Sequence, residues 1–319
     1  MGDRSRIEWT DATWNPTTGC SKVSPGCKHC YAKREWARLS ANPKSRYYGR
    51  EFEDVRMHDD LLAKPLHWRR PRRIFVDSMS DLFHEDIDDR FLDRVFAVIA
   101  MAPQHTFQIL TKRQKRMRNY VGAGGRGAAV FDFMRNSELG FWAGAEKLPP
   151  QSWPLPNVWL GISAEDQKTF DERWPHLRDT PAAKRIVSLE PLLGPIDVGE
   201  ALIDCMGAPL GLLHQVIDGG ESGPGARPSH LQWFRMLRDQ CAAAGMPYLH
   251  KQNGEWIECE TEVMTEPPWN AVYPIDESIE LKDGRAYKVI KEQGTEFCRV
   301  GKRDAGRLLD GREHSEFPK

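Results

Sequence analysis

Three of the chain's seven cysteines, Cys20, Cys27 and Cys30, fall within eleven residues, while Cys205, Cys241, Cys259 and Cys298 stand singly. An odd count with one tight cluster argues against a disulfide framework and for a metal site in a reducing, cytosolic setting. Thiolates are soft ligands, and three on one compact loop suit an iron–sulfur cluster or zinc. A closed zinc site needs a fourth ligand. His29 lies between two of the cysteines and would point poorly, and Cys259 is the other candidate. Three thiolates on a cluster leave one iron open for chemistry. Gly19, Pro25 and Gly26 let the backbone wrap closely around such a core.

A loop of this kind needs a scaffold, and short apolar runs supply it. Arg73–Asp77, Thr106–Leu110, Val158–Ile162, Arg185–Leu189, Gln215–Asp218 and Pro247–His250 read as strands covered on both faces. Helical spacing lies between them, clearest in Phe91, Leu92, Val95, Phe96 and Ile99. Ser229 with Gln232 reads as a capping box for a further helix. Repeated β–α units predict a parallel sheet, open or closed into a barrel. Residues 1–252 make this unit, with an insertion at about 121–157 expected over one face. Residues 253–319 read as a polar, irregular C-terminal extension.

In a parallel barrel the working residues sit at the C-terminal ends of strands. Polar groups recur there. Asp77, Ser78, Ser80 and Asp81 follow the first run; Thr111, Lys112 and Arg113 the second; Ser163 and Glu165 the third; Glu190 the fourth. Gly219, Gly220 and Glu221 open the Gly-rich segment after the fifth, and Lys251 and Gln252 follow the sixth. Helix capping explains any one of these, but six in register is more than capping requires. The GGESGPG segment lacks dinucleotide-fingerprint spacing; it can cradle an adenosyl or phosphate group, or simply turn into the next helix.

Hydrophobic residues make up 40% of the 319, charged residues 29%, and the net charge is −1. No run reaches the roughly 18 apolar residues of a membrane span. The charged start lacks a signal-peptide core, so a cytoplasmic protein is expected. Nucleic-acid contact therefore needs a local basic patch, for which Trp68–Arg73 and Lys112–Arg118 are the dense candidates.

The segment TWNPTTGCSKVSPGCKHCYA resembles the cysteine loop of radical S-adenosylmethionine proteins, closest to the spore photoproduct lyase-like branch. Six residues separate its first two cysteines, against the usual three. The whole chain resembles the phage Gp37/Gp68 family through IFVDSMSDLFHEDI, LTKR, VWLGISAED, VSLEPLLGP, GGESGPGARP, LRDQC and GRLLDGRE. The resemblance implies a partial (β/α)6 barrel of the radical S-adenosylmethionine type. Cys20, Cys27 and Cys30 would hold a [4Fe–4S] cluster whose open iron chelates S-adenosylmethionine. A donor such as flavodoxin or ferredoxin would supply the electron that yields a 5′-deoxyadenosyl radical. Ser80 and Asp81 would then meet the cofactor amine, Lys112 would match the basic third-strand ending, and Ser163 and Glu165 would contact ribose or carboxylate. Glu190, Gly219, Gly220 and Glu221 complete the expected cofactor rim. Modification or repair of nucleic acid is the expected activity. The alternatives are the same chemistry on a protein or small molecule, or a non-catalytic metal-binding phage protein.

Overall fold

The computed structural model describes residues 5, 7–145, 152–203, 207, 210–258, 278–280 and 286–318. Its main sheet has seven parallel strands: β1 (Ala12–Trp14), β2 (Arg73–Val76), β3 (Thr106–Thr111), β4 (Val158–Ala164), β5 (Lys184–Leu189), β6 (Gln215–Asp218) and β7 (Tyr248–His250). They pair in chain order from β1 to β7. The six expected strands are present. β1 adds a seventh, too short to show periodicity.

The sheet curls into a half-barrel. Phe75 of β2 shares one buried cluster with Ile217 of β6 and Leu249 of β7. At ~4.8 Å per strand, a flat sheet would hold them roughly 20 Å apart. Gly161 permits part of this curvature on the inner face. A Cβ there would stand 2.6 Å from the Ile186 carbonyl oxygen and 2.7 Å from Leu110. The open side is filled by the chain's two ends: Ile7 and Trp9 join this cluster, as does Phe317, and residues 314–316 run antiparallel beside β7.

The outer face carries the large core, built from Ile74, Val76, Phe107, Ile109, Leu160, Val187 and Val216 packed under helices. Helix α1 spans Tyr31–Ser40, and α2 spans Asp89–Ala100. Asp88 caps α2 by accepting from the Phe91 amide at 2.7 Å, and the expected Phe91, Leu92, Val95, Phe96 and Ile99 face the core. Further helices are α3 (Gln114–Val121), α4 (Arg126–Asn136), α5 (Glu138–Trp142), α6 (Gln167–Arg178), α7 (Gly199–Leu202), α8 (Leu231–Ala243) and α9 (Lys302–Ala305).

Two expectations change. Ser229 does not cap α8: its hydroxyl donates to the Leu192 carbonyl at 2.6 Å. The helix starts at Leu231, whose amide donates to the Glu258 carboxylate at 2.7 Å, so a tertiary partner replaces the local cap. The described part of the insertion packs on the flank of α2. There Arg126 pairs with Asp89 and Asp93, and the Trp153 ring meets Phe96 edge-on with centroids 5.5 Å apart. Nor is the C-terminal extension irregular. It forms an antiparallel sheet from β8 (Trp256–Glu258), β9 (Ser278–Glu280), β10 (Ala286–Glu292) and β11 (Thr295–Arg299), in the order β8-β11-β10-β9. No helix among the described residues is long and apolar enough to cross a membrane.

Candidate metal centre

The cysteine loop leaves the C-terminal end of β1. Thr17–Thr18 pairs antiparallel with Arg56–Met57, and Gly19 bridges to Ser80 beyond β2. Gly19 has φ +93°, and a Cβ there would lie 2.5 Å from the Asp54 carbonyl oxygen, so only glycine passes. A tight turn over Pro25–Cys27 follows, and Cys30 stands at the N-cap of α1. Cys20 and Cys30 pack against the cluster of Trp36, Tyr47, Phe52 and Met79. Burial, reinforced by the Asp81 charge and opposed by Arg113, pushes the Cys20 thiol up to about 12. Without a metal or cluster, Cys20 is therefore protonated at neutral pH.

Strand ends on one side of the half-barrel reach this loop. From the end of β3, Arg113 donates to the Ser21 hydroxyl at 2.8 Å, to the Ser21 carbonyl at 3.2 Å and to the Cys20 sulfur at 3.5 Å. Its other bonds go to Asp81 at 3.2 Å and Glu85 at 2.8 Å. From β4, the fully buried Glu165 accepts the Gly26 amide at 3.1 Å and pairs with Arg173 at 3.0 Å. Beyond β6, Glu221 pairs with Arg227 at 2.7 Å, and Arg227 donates to the Pro25 carbonyl at 3.1 Å. Arg34 of α1 donates to the Ser222 carbonyl at 3.0 Å. The His29 ring lies against Gly225, where a Cβ would be 2.9 Å away. His29 is thus turned toward the Gly-rich segment.

The residues expected at the cofactor divide into two groups. Asp81, Glu165 and Glu221 are buried beneath the loop and committed to it. Asp81 accepts from the Thr111 hydroxyl at 2.7 Å and from the backbone amides of Phe83 and Lys112, besides its Arg113 pair. Ser80 bonds the Thr17 hydroxyl at 2.6 Å, which also donates to Asp77 at 2.7 Å. Lys112, Ser163 and Glu190 keep part of their surface open at the rim. Glu190 Oε1 accepts from Lys251 at 2.5 Å and Gln252 at 3.4 Å, with Gly219 against its carboxylate. Gly220 donates to the Gln252 carbonyl at 2.9 Å, and a Cβ on it would meet the Asn253 oxygen at 2.2 Å.

Sequence reading marked Asp77 and Arg113 as polar strand-end residues without their partners, and passed over Arg173 and Arg227. Asp77 is buried with φ +60°, and burial pushes its carboxyl up to about 7, against the hydrogen bonds from Thr17 and Ser80. Position after a strand was a usable signal for Asp77 and Arg113. The partners of Arg173 and Arg227 lie 8 and 6 residues away and had no such signal. The two basic runs separate. Trp68–Arg73 leads into β2 and so lies at the opposite rim. In Lys112–Arg118, Arg113 is buried and Arg116 pairs with Asp89.

Among the described residues no three His, Cys, Asp or Glu side chains converge as ligands of a single metal ion. Cys259, one candidate for a fourth zinc ligand, lies outside them. The thiolates of a [4Fe–4S] cluster bind different irons and stand farther apart than ligands of one ion. Three thiols on one loop, one at a helix N-terminus and one facing an arginine N–H, fit that donor set. No curated protein and no solved structure matches the chain. Residues 4–318, which span the loop, the strand ends and the C-terminal sheet, match the family model described as protein of unknown function (DUF5131), and the chain belongs to that family.

Proposed function

We propose that the chain is a radical S-adenosylmethionine enzyme that acts on nucleic acid, with its [4Fe–4S] cluster held by Cys20, Cys27 and Cys30. The observation that carries this reading is the convergence of Arg113, Glu165 and Arg227, from the ends of three strand units, on one three-cysteine loop. A structural loop would need no such support from the catalytic rim of a parallel half-barrel. When bound, the reduced cluster supplies one electron to the S-adenosylmethionine sulfonium, releasing methionine and the 5′-deoxyadenosyl radical.

The chain's own residues hold and orient. Arg113 directs N–H groups at the Cys20 side of the loop, which steadies a thiolate and tunes an anionic cluster. Asp81 keeps Arg113 in place. Glu190 is the rim acceptor suited to an amine or ribose hydroxyl, because its Oε2 takes no bond among the described residues. Lys112 offers an ammonium group without an ion-pair partner among the described residues, suited to a carboxylate. Gly219 and Gly220 let an adenosyl group approach the backbone closely.

The test is reductive cleavage of S-adenosylmethionine to 5′-deoxyadenosine by reconstituted protein, with and without DNA. Cleavage stimulated by DNA, and lost steeply as salt rises, is the expected result. Cleavage indifferent to nucleic acid would move the substrate to a protein or small molecule. No cleavage by iron-loaded protein would remove the enzyme reading.

A further inference from the structure

A second feature of the same rim lies where the C-terminal segment crosses β7. A groove of about 420 Å³ is lined there by Glu8, Lys251, Gln252, Lys302, Arg303 and Arg307. Four cations thus face one carboxylate. Lys251 is paired with Glu190 at 2.5 Å, but the charges of the other three are only loosely answered. Lys302 stands 3.7 Å from Glu8, and Arg307 stands 3.8 Å from Glu313. Arg303 has no hydrogen-bond or ion-pair partner among the described residues. The Nε of Arg307 and the Oε1 of Gln252 are buried polar atoms without a partner, and the Gln252 side chain is almost wholly enclosed. One unanswered donor, Arg307 Nε, and an excess of positive over negative side chains in the groove call for an anion, while the unpartnered Gln252 Oε1 and Glu8 Oε2 are acceptors that suit a ligand's N–H or O–H groups. The volume is in the range that takes a small organic ligand, larger than one phosphate alone needs.

We infer that this groove binds a nucleotide unit of a single-stranded nucleic acid through its phosphates. The inference rests on the nucleic-acid reading above and gives it a location. Lys251 and Gln252 follow β7 and bond Glu190 at 2.5 and 3.4 Å, so a strand seated here runs past the rim acceptor of the cofactor site. The cations come mainly from the C-terminal segment, and neither basic run singled out in the sequence contributes to the groove. Glu8 sets a limit on occupancy, since its carboxylate repels a phosphate placed at that end. Lys302 and Arg303 are exposed, and Lys302 is held to Glu8 only at 3.7 Å, so both can turn toward the ligand.

The experiment is fluorescence anisotropy of a labelled oligothymidylate on the full chain across a salt series. It compares wild type, Lys302→Ala/Arg303→Ala and, as a control at the opposite rim, Arg69→Ala/Arg70→Ala. Both pairs are exposed, so folding should survive. The groove variant should bind about tenfold or more weakly, and its log–log salt slope should shrink by roughly 1.4 for two lost single-strand phosphate contacts. The control should bind like wild type. Equal binding by the groove variant, weakening confined to the control, or no oligonucleotide binding by wild type each overturns the inference. Iron content and S-adenosylmethionine cleavage are read on the same preparations. Iron-loaded, cleaving protein that binds DNA without the groove sinks this inference alone. Groove-dependent binding by protein that takes up no iron sinks the cluster assignment alone.

Discussion

Asp77 turns the chain at the end of β2 in a left-handed backbone conformation, with its carboxylate buried against Thr17. Its folded-state pKa of about 7 exceeds the ordinary 3.8, so the folded protein binds the proton more tightly than the unfolded chain. The group's stabilising contribution is complete below about pH 4. It falls by roughly 1.4 kcal/mol per pH unit toward pH 7 and levels off above. Asp77→Asn removes that slope. The variant should therefore gain stability relative to wild type between pH 4.5 and 7 and run parallel to it above pH 8. Denaturant melts across that range check this, and a constant offset would show that Asp77 titrates normally. Arg113→Lys is the second residue test. A lysine cannot reproduce the fork that joins Ser21, Asp81 and Glu85, and Asp81 is left partly unanswered. Stability should fall by about 1–3 kcal/mol, and iron uptake on reconstitution should fall with it. Full iron content in a normally stable variant would deny Arg113 its positioning role. The cysteines and the polar strand ends were legible from residue type and place. Asp81 was legible as a rim carboxylate, but not as one enclosed by Thr111, Phe83, Lys112 and Arg113, because those partners meet only in three dimensions.

Among the elements, α8 shows most plainly how tertiary context replaces local code. Its first amide is satisfied by Glu258, which β8 brings to the helix N-terminus from the C-terminal sheet. A carboxylate there both accepts the hydrogen bond and faces the positive end of the helix dipole. Glu258→Ala should cost about 1 kcal/mol, and amide exchange should speed up in the first turn of α8 rather than across the barrel. Exchange unchanged at Leu231 would mean that the cap contributes nothing. The sequence signature at Ser229 and Gln232 misled because the Leu192 carbonyl claims the Ser229 hydroxyl. The barrel strands were readable as continuous apolar runs. β10 and β11 were not, since Ala286–Glu292 and Thr295–Arg299 break their apolar residues into pairs between Lys, Arg and Glu. β1 has three residues and leaves too little pattern to see.

The half-barrel as a whole depends on its two ends. Trp9 packs tilted against Phe75 with centroids 4.6 Å apart, and Phe317 lies under the Arg73 guanidinium at 3.7 Å, so residues 9 and 317 seal the open side. Phe317→Ala should destabilise the protein by about 1–3 kcal/mol through lost apolar burial and the lost cation–π contact. A denaturation curve superimposable on wild type would show that the tail is dispensable to the barrel. A parallel α/β architecture follows from the strand and helix spacing, whereas the curl and its plug depend on contacts between residues far apart in sequence. The central claim concerns the loop that this scaffold presents, and anaerobic reconstitution with iron and sulfide tests it most directly. Wild type should turn brown and hold about four irons per chain, and Cys20→Ala/Cys27→Ala/Cys30→Ala should hold none. A colourless wild-type protein carrying one zinc per chain, or a brown one whose iron survives loss of the three cysteines, would contradict it.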